Sequence, residues 1–398
     1  MRKSRIDGEM KSETPLGARP AVRALSASKI RELYNEGVGR TDILPFWVGE
    51  PDEPTPGFIR KAATDSIAAG EVFYTHNLGI PGLREALGLY LKKLHKASEG
   101  MEVVVTSAGV NALMLASQLL VDPGDRVVEV VPLWPNLVEI PKILGARVAT
   151  VALRFSSTGW RLDVDELLAT LTPGTKALYL NSPNNPTGWT VTRDQQRAIL
   201  DHCRRLGIWI FADDAYERLY YGPGAVAPSF LDFAESEDRL ISANTFSKSW
   251  LMTGWRLGWL VVPPALVADL GKLIEYNTSC APVFVQRAGM EAVMHGEPVV
   301  ARTLERFRAG RDFLVSELAK IPRVAVATPT GAMYAFFKVE GMADSLAFCK
   351  QLVRDQGLGL APGSAFGPEG EGFVRWCFAS SVERLGEGVA RLRKVLAQ

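Results

Sequence analysis

Arg239-Leu240-Ile241-Ser242-Ala243-Asn244-Thr245-Phe246-Ser247-Lys248 begins as a largely apolar run and ends in a hydroxyl-rich turn that delivers a lysine. A short run of that kind reads as a strand covered on both faces, and polar residues past its carboxyl end mark where an open parallel sheet holds ligands. Arg256 follows shortly, in Thr253-Gly254-Trp255-Arg256. The amine of Lys248 can form an imine with an aldehyde. Thr245 and Ser247 can donate to phosphate oxygens, and Arg256 can grip a phosphate with two parallel N–H bonds. The segment suits a phosphorylated aldehyde, although by itself it also fits a solvated lysine in a polar turn.

Outward from this stretch, β-branched runs over 103–106, 126–131, 148–153, 176–180, 208–212, 239–243 and 257–262 alternate with helical patterns. This is the pattern of an α/β fold, a parallel sheet with helices on both faces. Thr192-Arg193-Asp194-Gln195 reads as a capping box opening a helix that runs to about Leu206, with Gly207 as its stop, and Asp163 precedes a short helix. After about Gly296 the rhythm changes to an amphipathic helix through Leu318, then strands near 324–327 and 334–339. A closing helix repeats apolar residues at Val382, Leu385, Val389, Leu392 and Val395. A smaller α+β unit is thus expected, with a helix around 28–35 packed on it. The expected division is an arm and part of the small domain at 1–48, a large cofactor-binding domain at 49–291 and a C-terminal small domain at 292–398. Pro51, Pro54 and Pro56 stiffen the loop where the two would join.

Three further stretches fall at strand ends. Phe211-Ala212-Asp213-Asp214-Ala215-Tyr216 places an aspartate where it can pair with a pyridinium nitrogen, and a phenol that can donate to a ring oxygen. Asn181-Ser182-Pro183-Asn184-Asn185-Pro186-Thr187-Gly188 is an extended loop free to present the Asn185 amide. Thr106-Ser107-Ala108-Gly109-Val110-Asn111 is a strand-to-helix junction whose free amides make an anion site. Each alone is an ordinary turn; their joint occurrence in this order carries the argument.

Composition narrows the partners. With 45 Lys+Arg against 44 Asp+Glu in 398 residues, no global field draws the chain to nucleic acid or an anionic membrane. Residues 1–20 lack the apolar core of a signal peptide, and no apolar run reaches the roughly 18 residues that span a bilayer. Cys203, Cys280, Cys349 and Cys377 form no paired motif, which fits a reducing cytoplasm, and the four histidines lack zinc-site spacing, so no metal is expected.

Taken together these motifs resemble the class I aminotransferases of fold type I, the aspartate aminotransferase superfamily. The resemblance covers nearly the whole chain. It also takes in Gly49-Glu50-Pro51-Asp52, Tyr74 with Gly79-Ile80-Pro81-Gly82-Leu83-Arg84, and Phe373-Val374-Arg375-Trp376. It implies a mostly parallel mixed sheet sandwiched by helices plus a smaller α+β domain, and pyridoxal 5'-phosphate held on Lys248 as a Schiff base. Asp213 would hold the ring nitrogen, Tyr216 and Asn185 the ring oxygen, and Trp134 would stack on the ring. Arg256, Thr245 and the amides of Ala108, Gly109 and Val110 would bind phosphate. Arg375 would clamp the substrate α-carboxylate, with Gly49 leaving room for it, and Asn185 and Trp134 would also border the substrate. Tyr74 would reach the cofactor phosphate of a neighbouring subunit, making a homodimer a functional requirement.

The implied activity is ping-pong transfer of an amino group from an L-amino acid to a 2-oxo acid. A cofactor-dependent carbon–sulfur β-lyase is the nearest competitor, and a non-catalytic cofactor-binding regulator a more distant one. The chain departs from many relatives in having Ala108 and Val110 where a hydroxyl or lysine stands, and Trp134 where a tyrosine or phenylalanine stands. No second arginine for a distal carboxylate is matched.

Overall fold

The computed structural model describes residues 17–95, 100–156, 158–224 and 226–397. The reading of residues 1–20 as no signal segment therefore falls largely outside the described residues. Seven strands form the main sheet: β1 (Glu102–Thr106), β2 (Arg126–Val131), β3 (Arg147–Ala152), β4 (Thr175–Asn181), β5 (Trp209–Asp213), β6 (Leu240–Thr245) and β7 (Gly258–Val262). Their order across the sheet is β1-β7-β6-β5-β4-β2-β3. All of the expected strands form, within one or two residues of their expected ends. One runs the other way: β7 is antiparallel to both β1 and β6, while β6, β5, β4, β2 and β3 are parallel neighbours. A period of apolar residues carries no direction, so the reversal is invisible in the run itself.

Alternate residues of each strand enter separate cores. Val103, Val105, Val128, Val130, Leu178, Leu180, Ile210 and Ala212 face one helical layer. Val104, Val127, Val131, Ala177, Tyr179, Phe211 and Ile241 face the other. Burial on both faces is why these strands are apolar throughout.

The helices that matter for the site are α1 (Lys29–Glu36), α2 (Gly109–Leu120), α3 (Pro135–Ile143), α4 (Arg193–Leu206), α5 (Glu297–Leu318), α6 (Ser345–Gln356) and α7 (Val382–Leu396). The capping box forms as expected: the Thr192 hydroxyl accepts from the Gln195 amide, the Gln195 side chain returns the contact, and Gly207 ends α4 in the left-handed conformation. Asp163 likewise caps the helix Val164–Thr170. A second sheet, β8 (Val324–Ala325), β9 (Tyr334–Val339), β10 (Ala361–Pro362) and β11 (Phe373–Cys377), is ordered β8-β9-β11-β10. Its core joins Phe307 and Leu314 of α5, Leu352 of α6, Leu385, Val389 and Leu392 of α7, and Leu33 of α1. This core also takes in Tyr216, Leu219 and Tyr221 from the turn after β5, so the two sheets meet at that turn. No helix among the described residues is long and apolar enough to cross a membrane.

One buried charge sits apart from the site. Glu129, in the middle of β2, is fully buried and neither of its oxygens has a hydrogen-bond partner. Burial raises its carboxyl from 4.5 to about 8. The folded chain therefore keeps a proton that the unfolded chain loses above about 4.5, and folding stability falls as pH rises between those two values. We expect Glu129→Gln to match the parent in thermal unfolding at pH 5 and to unfold at a higher temperature at pH 9. A variant no more stable at pH 9 would show that Glu129 stays neutral for another reason.

Candidate active site

A cavity of about 500 Å³ opens where the carboxyl ends of β4, β5 and β6 meet the second sheet. Gly49, Gly109, Val110, Trp134, Asn185, Asp213, Tyr216, Thr245, Ser247, Lys248, Arg256 and Arg375 all line it. Residues scattered over more than 300 positions are brought together by the parallel strands, which end on the same side. Of the expected site residues, Ala108 lies just behind the lining and Tyr74 is not part of it.

Lys248 follows β6, and its amine donates to the carbonyl of Gly49 at 2.7 Å. Burial is the first cause that lowers its ammonium to about 8, with Arg375 and Arg256 adding repulsion. A substantial fraction of neutral amine near neutrality is what nucleophilic attack and proton transfer need. Asp213 closes β5, buried, with one oxygen accepting the Ala215 amide at 3.2 Å. Burial raises its carboxyl to about 7 against the opposing pull of Lys248. A cationic ring nitrogen beside it would return it to the carboxylate form.

Asn185 is held by its neighbour Asn181, whose side-chain oxygen accepts the Asn185 amide at 2.7 Å. Its own side chain approaches the Tyr216 hydroxyl at 3.5 Å and accepts from Arg375 at 2.9 Å. The Arg375 guanidinium is buried between two aromatic faces, 4.4 Å from the Tyr334 ring centroid and 4.8 Å from that of Phe366, and it also donates to the Trp47 carbonyl. Its Nε–H is buried without a partner, a donor that a bound carboxylate would satisfy.

At the opposite end, α2 begins. The Ala112 amide closes the first helical bond on the Ala108 carbonyl, leaving the amides of Gly109 and Val110 without an intrahelical acceptor. Ala108 holds the turn at φ +107°, a conformation that L-residues rarely adopt. Gly258 lets this turn sit close on β7, since a Cβ there would lie 2.6 Å from the Gly109 nitrogen. Thr245 and Ser247 bridge hydroxyl to hydroxyl at 2.9 Å beside it, and Arg256 reaches from its own turn, anchored on the Thr253 carbonyl at 2.6 Å.

Gly49 corrects an expectation. Its missing side chain makes room for the Tyr334 hydroxyl, which a Cβ would approach to 2.0 Å. The sequence reading assigned that space to the substrate carboxylate. Tyr334 itself went unnoticed, yet its hydroxyl pairs with that of Tyr216 at 2.8 Å and its ring covers Arg375. In sequence it is an ordinary strand aromatic; only the crossing of the two sheets reveals it.

An anion cradle of amides and hydroxyls, a part-buried amine, a buried carboxylate and a buried guanidinium with a spare donor suit pyridoxal phosphate and an amino acid together. Fold and site thus define a pyridoxal-phosphate-dependent enzyme of fold type I. Residues 41–392 match the family model for aminotransferase class I and II. The chain is 34% identical over 379 residues to an aspartate aminotransferase of Pyrococcus horikoshii, covering 94% of this chain and 96% of that protein. It is 32% identical to a probable N-acetyl-LL-diaminopimelate aminotransferase of Bacillus subtilis, covering 94% of each. The crystal structure of an aspartate aminotransferase from Thermotoga maritima superposes with a TM-score of 0.87 at 32% identity, covering 96% of this chain and all of that one. The chain belongs to the class I and II aminotransferases, and it is a pyridoxal-phosphate-dependent transaminase. These relatives carry the aminotransferase reading rather than the β-lyase one.

Proposed function

We propose that the cavity moves an amino group from an L-amino acid to a 2-oxo acid in two half-reactions, each served by Lys248. The observation that carries this reading is the arrangement around that amine, with the Asp213 carboxylate and the Arg375 guanidinium lining the same cavity. When bound, pyridoxal phosphate supplies an aldehyde for the amine nitrogen and a ring that takes up electron density from the substrate Cα.

The chain's residues do the rest. Lys248 anchors the aldehyde, then, once a substrate amine replaces it, carries a proton from the substrate Cα to the cofactor's C4′ carbon. Asp213 holds the proton on the ring nitrogen. Asn185 and Tyr216 serve the ring oxygen, Trp134 covers the ring face, and Thr245, Arg256 and the amides of Ala108, Gly109 and Val110 hold the phosphate. Arg375 orients the α-carboxylate, so that the Cα proton faces Lys248. Asn185 joins the two halves, since it touches both Tyr216 and Arg375.

The active form is a homodimer. Tyr74 is 89% exposed and lies in an apolar strip with Val72 and Phe73, which a second copy would cover, bringing Tyr74 to the partner's phosphate end. The division into 1–48, 49–291 and 292–398 is the one along which the two sheets separate. The free cysteines accord with a cytoplasmic enzyme.

The test is a panel of amino donors given to the protein loaded with cofactor. A competent donor alone should bleach the visible absorbance of the lysine-bound cofactor, and added 2-oxoglutarate should restore it while glutamate accumulates. Pyruvate and ammonia from cysteine conjugates without any oxo acid, and no glutamate from any donor, would reject the reading.

A further inference from the structure

We infer that Arg31 of α1 is the residue that selects donors with an acidic side chain. The inference deepens the transaminase reading by naming a substrate class, and it rests on that reading. The helix α1 has two faces. Lys29 donates to the Ser364 carbonyl at 3.2 Å, Glu32 pairs with Lys350 of α6, and Leu33 is fully buried, which docks one face on the small sheet's unit. Ser28, Arg31 and Tyr34, at a spacing of three, share the other face and line the mouth of the cavity.

Arg31 lies over the Tyr34 ring at 4.9 Å, and among the described residues it has no ion pair with a carboxylate. Its helix neighbours Glu32 and Glu36 both turn to Lys350 instead. The chain thus holds a guanidinium at the mouth on a docked helix, with its planar face supported and its donors open to solvent. The inner cations have tasks: Arg375 meets the α-carboxylate, and Arg256 serves the phosphate end. A substrate extending from Arg375 towards the mouth carries its side chain to Arg31. A terminal carboxylate would make charge-assisted hydrogen bonds there.

The opposing possibility is a basic side chain meeting Glu50, the carboxylate that shares the mouth. Glu50 already accepts the Thr253 hydroxyl, so it is the poorer acceptor. Tyr34, Trp47 and Trp134 would also tolerate a neutral or aromatic side chain, so Arg31 grades donors rather than excluding them.

The test uses the holoenzyme and the variants Arg31→Met and Arg31→Lys. Calorimetric binding of glutarate, a dicarboxylate, is compared with that of butyrate, which has one carboxylate. In parallel, kcat/KM is measured for glutamate, aspartate, methionine, phenylalanine and arginine. One charge-assisted contact at a half-open site is worth a factor of about 10 to 100. We expect Arg31→Met to weaken glutarate binding and kcat/KM for the two acidic donors by about that factor, with butyrate and the neutral donors little changed and Arg31→Lys intermediate. Equal losses for every donor, unchanged glutarate binding, or a parent enzyme that favours arginine would each overturn the inference. If no donor is turned over at all, transamination fails, and the glutarate–butyrate contrast still decides the role of Arg31.

Discussion

Lys248→Ala should lower kcat by more than about 10⁴-fold, the upper range for loss of a positioned general base, and should abolish the visible absorbance of the lysine-bound cofactor. No other lysine among the described residues lines the cavity, so no amine can take over. The neighbouring cations, Arg256 and Arg375, stay protonated and cannot accept the Cα proton. The fold should not suffer. Because burial lowers the Lys248 ammonium from 10.5 to about 8, the folded chain resists holding that charge, and the lysine's contribution to stability improves as pH rises through this window. At pH 7 the alanine variant without cofactor should therefore unfold at the same or a higher temperature than the parent. Loss of turnover with intact unfolding separates chemistry from folding. Undiminished transamination would remove Lys248 from the mechanism.

Asp213→Asn should keep the cofactor attached yet lower kcat by about 10²–10³-fold, the usual cost of removing one preorganised electrostatic partner. Asp213 is placed by sheet register, paired with Asn181 on one side and Ala243 on the other, so an isosteric asparagine should occupy the same position. What changes is charge. A carboxylate holds the ring nitrogen protonated and so keeps the ring able to take up electrons; an amide does not. Burial alone pushes the Asp213 carboxyl up to about 7, so the negative charge depends on the cations beside it, Lys248 among them. Single-turnover rates with a deuterated Cα should show proton removal becoming fully rate-limiting. An asparagine variant with parental kcat would place the ring nitrogen elsewhere.

Most of the large sheet was legible because its signals are local. Apolar runs such as 126–131 must be buried, and a capping box such as Thr192 to Gln195 depends only on residues within one turn. The site was legible for a related reason. Parallel strands gather their carboxyl ends, so the chemistry of Asp213, Asn185 and Lys248 could be read from the residues that follow each strand. The reversed direction of β7, the claim of Tyr334 on the space beside Gly49, and the position of Arg31 at the mouth were not legible. Each depends on a partner far along the chain: β1 for β7, Gly49 for Tyr334, and α6 and the small sheet's unit for α1.

The order of residues by itself determined which segments are buried strands and which chemical groups stand at their ends, since burial period and residue type are properties of the chain. Only the tertiary structure decided which of those groups share a cavity, what lies across from each, and which charges are left open. Distance, desolvation and occupied volume exist only once segments remote in sequence have packed together.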